Sequence, residues 1–401
     1  MPFPNRIPPA EPDQLDERQQ QVRTKMGPHG EEGASAMMRT FWHYPEFARS
    51  IGRIGTRVTL TNDLGPRLAV LAALRTAWLC DGEYVWSEAR AEALIRGLTD
   101  AEITAVATAS YDSVLTSVET HVVEAVDELH FTHHLTEEKW YRIDRLGPNA
   151  LLDLMTTYSF ILTLCAATNS MGVQLEPGST GWGLRREALV ADGAGHQASR
   201  VVPQRVFEVD YTLLSPRQTE QASRMGRRGK PSTSKLQKAM MNYPTFLAAM
   251  APFGKRAIDD TCLPVRVWQI ACMRTVWRCD SEYLWSQHRK AGLKIGITDE
   301  ELLGVAEGPD STHLQDLDRV VVSAVDEMYD GNRISDANWE RFDQFGREGI
   351  TDLILVYGLY VLQSCVARNF GTTLEPDSIG YLPELQRLRD RQQRAGVKLG
   401  E

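Results

Sequence analysis

The chain has 401 residues and a net charge of −9, with 42% apolar and 24% charged residues. That balance is globular and leaves room for two buried cores, and the negative charge excludes non-specific attraction to nucleic acid or to an anionic membrane surface. The opening MPFPNRIPPAEPDQ has no apolar h-region, no run of about 18 apolar residues is present, and six scattered cysteines without a C-x-x-C pair read as a reduced, cytoplasmic protein without a zinc site.

In chain order, Leu68 to Trp78 (LAVLAALRTAW) is apolar on most sides and predicts a buried helix. It is expected to run on into CDGEYVWSEA, which begins at Cys80. Gly97 is a helix stop, and Thr99-Asp100-Ala101-Glu102 has the form of a capping box. The histidine group HFTHH, His130 to His134, reads as a polar loop and not as a metal site. Leu135-Thr136-Glu137-Glu138 opens another helix, and Leu151 to Cys165 is a further apolar one.

The whole series then recurs 199 residues later. CDSEYLWSQH begins at Cys279, Gly97 returns as Gly296, and Ala125-Val126-Asp127-Glu128 returns as Ala324-Val325-Asp326-Glu327. Leu175-Glu176-Pro177 returns as Leu374-Glu375-Pro376. Within Arg75 to Ser87, 9 of 13 residues match their partners, where average composition gives about one. The reading is an all-α protein of two tandem copies, each with roughly six or seven helices. Residues 1–178 form the first copy, 179–204 a polar linker, 205–377 the second copy, and 378–401 a charged helical tail.

Each copy thus carries C-D-x-E-Y-x-W-S, then G-[LI]-T-D, then A-V-D-E, a [T/S]-x-x-x-W helix and a closing G-x-x-L-E-P. This order resembles the carboxymuconolactone decarboxylase family, within the superfamily that also holds the AhpD-type alkylhydroperoxidases. The resemblance covers nearly all of both copies and is sharpest at Y-x-W-x-x-H, Tyr283 to His288. It implies an all-helical fold and assembly as trimers or hexamers, with pockets lined partly by neighbouring subunits. Fusing two copies turns six subunits into three chains, so a homotrimer with pseudo-six-fold arrangement is expected, with a dimer second.

Family likeness does not fix chemistry, so the residues are read on their own terms. The AhpD-type relay is C-x-x-C-x-x-x-H; here Glu83 or Glu282 holds the second thiol position and Ser87 or Ser286 the base position. A thiol peroxidase would lack a resolving cysteine nearby in sequence, and Cys272, seven residues before Cys279, has Ala73 as its counterpart. The decarboxylase-like members place a glutamate four residues before the histidine; this chain has Val85 and Leu284 there. A cofactor-independent lyase or isomerase is expected, acting by proton transfer on a small organic acid, lactone or natural-product intermediate. The other readings are an AhpD-like thiol peroxidase and a non-catalytic ligand-binding or assembly protein.

The second copy keeps His288 where the first has Ala89, and Tyr360 where the first has Ile161. His288 is the expected general acid or base, with Glu282 and Tyr283 beside it, and Trp285, Arg274, Tyr360 and Cys279 lining the substrate. If the helix is continuous, Cys279, Glu282, Ser286 and Arg289 share one face, with Leu284 and His288 opposite. Arg274 either forks onto a substrate carboxylate or joins Glu282 in a buried network. Cys279 either lines the pocket or fills the core. His43, matched by Asn242, either adds a polar group to the site or ends a helix.

Overall fold

A computed structural model of the chain describes residues 5–25, 34–111, 113–183, 202–225, 234–346 and 348–394. Among the described residues the protein is all-helical, with nineteen α-helices and no strand. The first half holds α1 (Glu17–Lys25), α2 (Ala36–Phe41), α3 (Pro45–Leu60), α4 (Pro66–Leu79), α5 (Glu83–Ile95), α6 (Asp100–Thr108), α7 (Ser117–Thr132), α8 (Glu137–Asp144) and α9 (Ala150–Met171). The second holds α10 (Pro216–Met225), α11 (Lys235–Met240), α12 (Pro244–Ile258), α13 (Val265–Arg278), α14 (Glu282–Lys294), α15 (Asp299–Glu307), α16 (Asp316–Gly331), α17 (Asp336–Phe342) and α18 (Gly349–Phe370), and α19 (Pro383–Arg394) follows. The first residues of α1 to α9 and of α10 to α18 differ by 199 in every pair. Nine described helices per half exceed the six or seven read from pattern, because short helices such as α1 and α2 carry no long apolar stripe.

Local signals act where the sequence places them. Thr99 and Thr298 form reciprocal capping boxes with Glu102 and Glu301. Gly97 and Gly296 take left-handed backbone at φ 80° and 87°, a conformation that a side chain would strain. The longest helices, α9 and α18, are the core of the molecule. Both have 22 residues and a mean hydropathy of 1.6, long and apolar enough to cross a membrane by composition, and here they are 100% and 94% buried inside the protein. Interspersed Thr and Ser kept them from reading as continuous apolar runs.

The halves meet through one surface used twice. Arg6 lies over Trp339 at 5.1 Å and donates to the Ile334 carbonyl; Arg205 lies over Trp140 at 4.9 Å and donates to the Leu135 carbonyl. Ser170 Oγ accepts from Ile334 N at 2.9 Å, and Asn369 Oδ1 accepts from Leu135 N at 2.7 Å. Every partner is shifted by 199, so the contact is isologous. Such a contact closes on itself and does not propagate into a ring; a trimer of chains would have to use other faces. At the centre α9 and α18 approach so closely that a Cβ on Gly358 would collide with Thr163 Oγ1.

The histidine group is not a polar loop. His133 caps α7 in left-handed conformation and stacks on Tyr329 at 5.7 Å, and both His133 and His134 are buried at the junction of the halves. Burial, reinforced by the positive charge of Arg368, depresses their pKa to about 3 and about 4. His43 takes the helix-end role: its Nε2 meets the Pro8 carbonyl at 3.0 Å, just before α3.

Candidate functional site

The helix expected to run through the cysteines breaks there. Asp81 and Asp280 take left-handed φ of 52° and 54°. Asp280 N bonds Trp277 O at 3.1 Å and Ser281 N bonds Val276 O at 3.0 Å, with the same pair of bonds at Asp81 and Gly82. This is a Schellman stop, and aspartate is among the few residues that tolerate its left-handed position. Cys279 ends α13 and Glu282 starts α14, so they share no helical face. The two helices form a hairpin, and the residues once read as one stripe scatter to different tasks.

Five of the seven expected site residues have structural duties. Arg274 is 1% exposed. It makes a bidentate pair with Asp326 at 2.7 Å on both arms and donates to the Val305 and Ala306 carbonyls, which leaves no fork for a substrate carboxylate. Arg75 repeats this with Asp127, so the partner is the aspartate of A-V-D-E and not the glutamate of C-D-x-E. Glu282 accepts from Tyr381 N at 2.9 Å, and Glu83 from Trp182 N at 3.3 Å. Each carboxylate pins the segment that follows L-E-P, and a Cβ on Gly380 or Gly181 would strike it. Tyr283 ties α14 to Glu375, and burial raises its pKa. Trp285 packs in the core against Trp277 and Tyr381, at 5.3 and 5.9 Å. Cys279 is fully buried, and burial pushes its thiol up to about 12.

The packed unit therefore continues past the expected boundaries at 178 and 377, to Trp182 and Tyr381. Beyond Tyr381 the described part of the tail is a docked helix and not a solvated one. Arg389 of α19 is buried, sits 4.1 Å over Trp277 and 4.7 Å over Tyr381, and pairs with Asp280.

The remaining two expected residues come together at the open end of the α13–α14 hairpin. The rings of His288 and Tyr360 meet edge to face at 4.9 Å, and Trp268 lies 5.7 Å from each. Gln269 donates its amide to the His288 carbonyl at 2.9 Å. The buried Cys272 hydrogen-bonds with Tyr360. His288 is half-buried and borders an open groove of about 370 Å³, which Val265, Trp268, Gln269, Lys290 and Lys294 also line. Lys290 pairs with Asp377 at 2.9 Å. This gives the groove a titratable imidazole, an aromatic wall and two ammonium groups.

Sequence reasoning missed Trp268, Gln269 and the lysines, although a signal was present. At offset 199, Trp268, Gln269, Cys272, His288 and Tyr360 stand against Ala69, Val70, Ala73, Ala89 and Ile161. Five polar or aromatic positions in one half face five small or aliphatic ones in the other, inside a common scaffold. Among protein-family models and curated protein sequences, nothing matches the chain.

Proposed function

We propose that the chain is a cofactor-independent enzyme of the carboxymuconolactone decarboxylase-like kind. It acts on a small organic acid, lactone or natural-product intermediate by proton transfer, as a lyase or isomerase, and its site is the groove at His288. The observation that carries this reading is the concerted difference at Trp268, Gln269, Cys272, His288 and Tyr360, which the first half lacks altogether. A purely structural histidine would have no need of a matched set of neighbours. Lys294, beside a Lys290 that is paired with Asp377, suits an anionic substrate, and the aromatic wall suits an unsaturated or cyclic one.

The thiol-peroxidase reading loses support. Five of the six cysteines are buried, and the thiolate, not the thiol, is the nucleophile. Burial pushes Cys272 and Cys279 away from that form.

The test is solvent exchange. The protein is incubated in deuterated water with a panel of small lactones and 2-oxo, 3-oxo and unsaturated acids, followed by proton NMR. Enzyme-dependent loss of a carbon-bound hydrogen or of CO₂, abolished in His288→Ala, supports the proposal. Saturable binding at the groove without exchange or product for any member leaves a ligand-binding protein instead.

A further inference from the structure

Gln269 touches His288 twice. Its amide nitrogen donates to the His288 carbonyl oxygen at 2.9 Å and lies 3.4 Å from His288 Nδ1. A backbone carbonyl only accepts, so the first contact fixes which end of the amide is nitrogen. The second hydrogen on that nitrogen then faces Nδ1, which must offer its lone pair. A neutral imidazole whose Nδ1 accepts carries its one hydrogen on Nε2. The surroundings keep this arrangement in place: Gln269 is buried on α13, and the Tyr360 and Trp268 rings flank the imidazole. The first half has Val70 opposite Ala89, and neither the amide nor the ring exists there.

We propose that Gln269 is a positioning residue that holds neutral His288 in the Nε2–H tautomer, so that His288 serves the groove as a hydrogen-bond donor and not as a base. The donor would stabilise the substrate carbonyl, lactone or carboxylate-derived oxygen onto which the electron pair moves as CO₂ or a carbon-bound proton leaves, the proton passing to and from solvent at the open groove. This functional half rests on the enzymatic reading above; the tautomer does not. A base working through Nε2 needs its lone pair there, which moves the hydrogen to Nδ1. An acid that gives up Nε2–H from the imidazolium leaves its remaining hydrogen on Nδ1 too. Either cycle sets Nδ1–H against the amide donor of Gln269, two donors face to face. A neutral donor avoids the conflict, because its hydrogen never leaves the ring. Preorganised donors aimed at developing charge are among the largest contributions an active site makes.

The experiment is long-range nitrogen–proton NMR on protein labelled with ¹⁵N-histidine, at a pH above the histidine range. His288 is assigned by the signal missing in His288→Ala. Pyrrole-type Nε2 with pyridine-type Nδ1 is expected, and the reverse overturns the proposal. In Gln269→Glu the new carboxylate accepts from Nδ1–H, so the tautomer should invert. An unchanged tautomer would show that Gln269 does not set it. Should that variant not fold, Gln269→Met takes its place, and a mixed population is expected. An Nε2–H ring in a protein that turns over nothing leaves the tautomer standing and defeats the enzymatic reading. An Nδ1–H ring in a protein that does turn over defeats the inference and makes His288 a base.

Discussion

The Tyr283 hydroxyl donates to Glu375 at 2.9 Å, and Tyr84 donates to Glu176 at the same distance. Glu375 also accepts from Lys235 N at 2.7 Å, so its carboxylate caps α11 while it holds α14. The same hydroxyl takes Leu236 N at 3.2 Å. One tyrosine thus joins the start of α14, the start of α11 and the L-E-P turn. Because both halves keep it, its duty is the scaffold. Tyr283→Phe should cost about 1.5–3 kcal/mol, the usual value of a hydrogen bond to a charged group. Turnover at saturating substrate should stay within about twofold. Urea melts and initial rates on the same sample check both; a large fall in rate with unchanged stability would return Tyr283 to the chemistry.

Gly358 and Thr163 set the approach of the two central helices. A methyl group on Gly358 has no room beside Thr163 Oγ1. Gly358→Ala should destabilise the protein by about 1–3 kcal/mol, the range for overpacking a core. Thr163→Ala removes both the hydroxyl and the methyl that crowd this spot, so Gly358→Ala built on Thr163→Ala should recover part of the loss. Additive losses in the double variant would show that the two helices do not meet at this point.

Asp326 serves two buried cations where Asp127 serves one. Arg274 reaches it on both arms, and Arg278 Nη1 lies at 3.0 Å. In the first half the second cation is absent, because Leu79 stands where Arg278 does. Removing one partner of a buried pair leaves an uncompensated charge, which costs about 3–5 kcal/mol. Asp326→Ala should therefore fall at the top of that range and Asp127→Ala lower. Denaturant midpoints compare them, and equal losses would mean that Arg278 relies on Asp330 alone.

The scaffold was legible in the sequence and the site only in part. Apolar runs, capping boxes and stop glycines located the helices because those signals are local. The pairing of Arg274 was missed because Asp326 is 52 residues away and no helical wheel connects them. The break at Asp280 was missed because aspartate, not glycine, holds the left-handed position in both halves. Gly82 in the first half was the available clue. His288 and Tyr360 were singled out because they differ between halves, and the same comparison run over α13 would have singled out Trp268 and Gln269.

Acid should weaken the protein through its buried histidines. In the unfolded chain His133 and His134 take up a proton near 6.5; in the fold they refuse it until about 3 and about 4. The unfolded state therefore binds more protons as pH falls, and stability present above the unfolded value drains away toward the folded ones. At about 1.4 kcal/mol per unit, each histidine removes about 2 kcal/mol between neutrality and pH 5. His134→Gln should lose about 2 kcal/mol less than the parent over that interval. Urea midpoints of both proteins at the two pH values give the comparison, and parallel curves would contradict it.

The groove makes its sharpest prediction in the direction of gain. His288→Ala should lower turnover by about 10²–10³-fold, the effect of deleting one donor to developing charge, with little change in stability because the ring is only half-buried. The mirror change Ala89→His should add no activity. An imidazole placed there meets Ala69, Val70, Ala73 and Ile161, so no amide fixes its tautomer and no aromatic ring holds its plane. Ala69→Trp, Val70→Gln, Ala73→Cys, Ala89→His and Ile161→Tyr together rebuild the set on a scaffold whose helices begin at matching positions. In a His288→Ala background this fivefold variant should recover measurable turnover, while Ala89→His alone in that background should not. Rates in the three proteins decide whether the neighbours are part of the site: recovery by Ala89→His alone would show that the imidazole needs none of them.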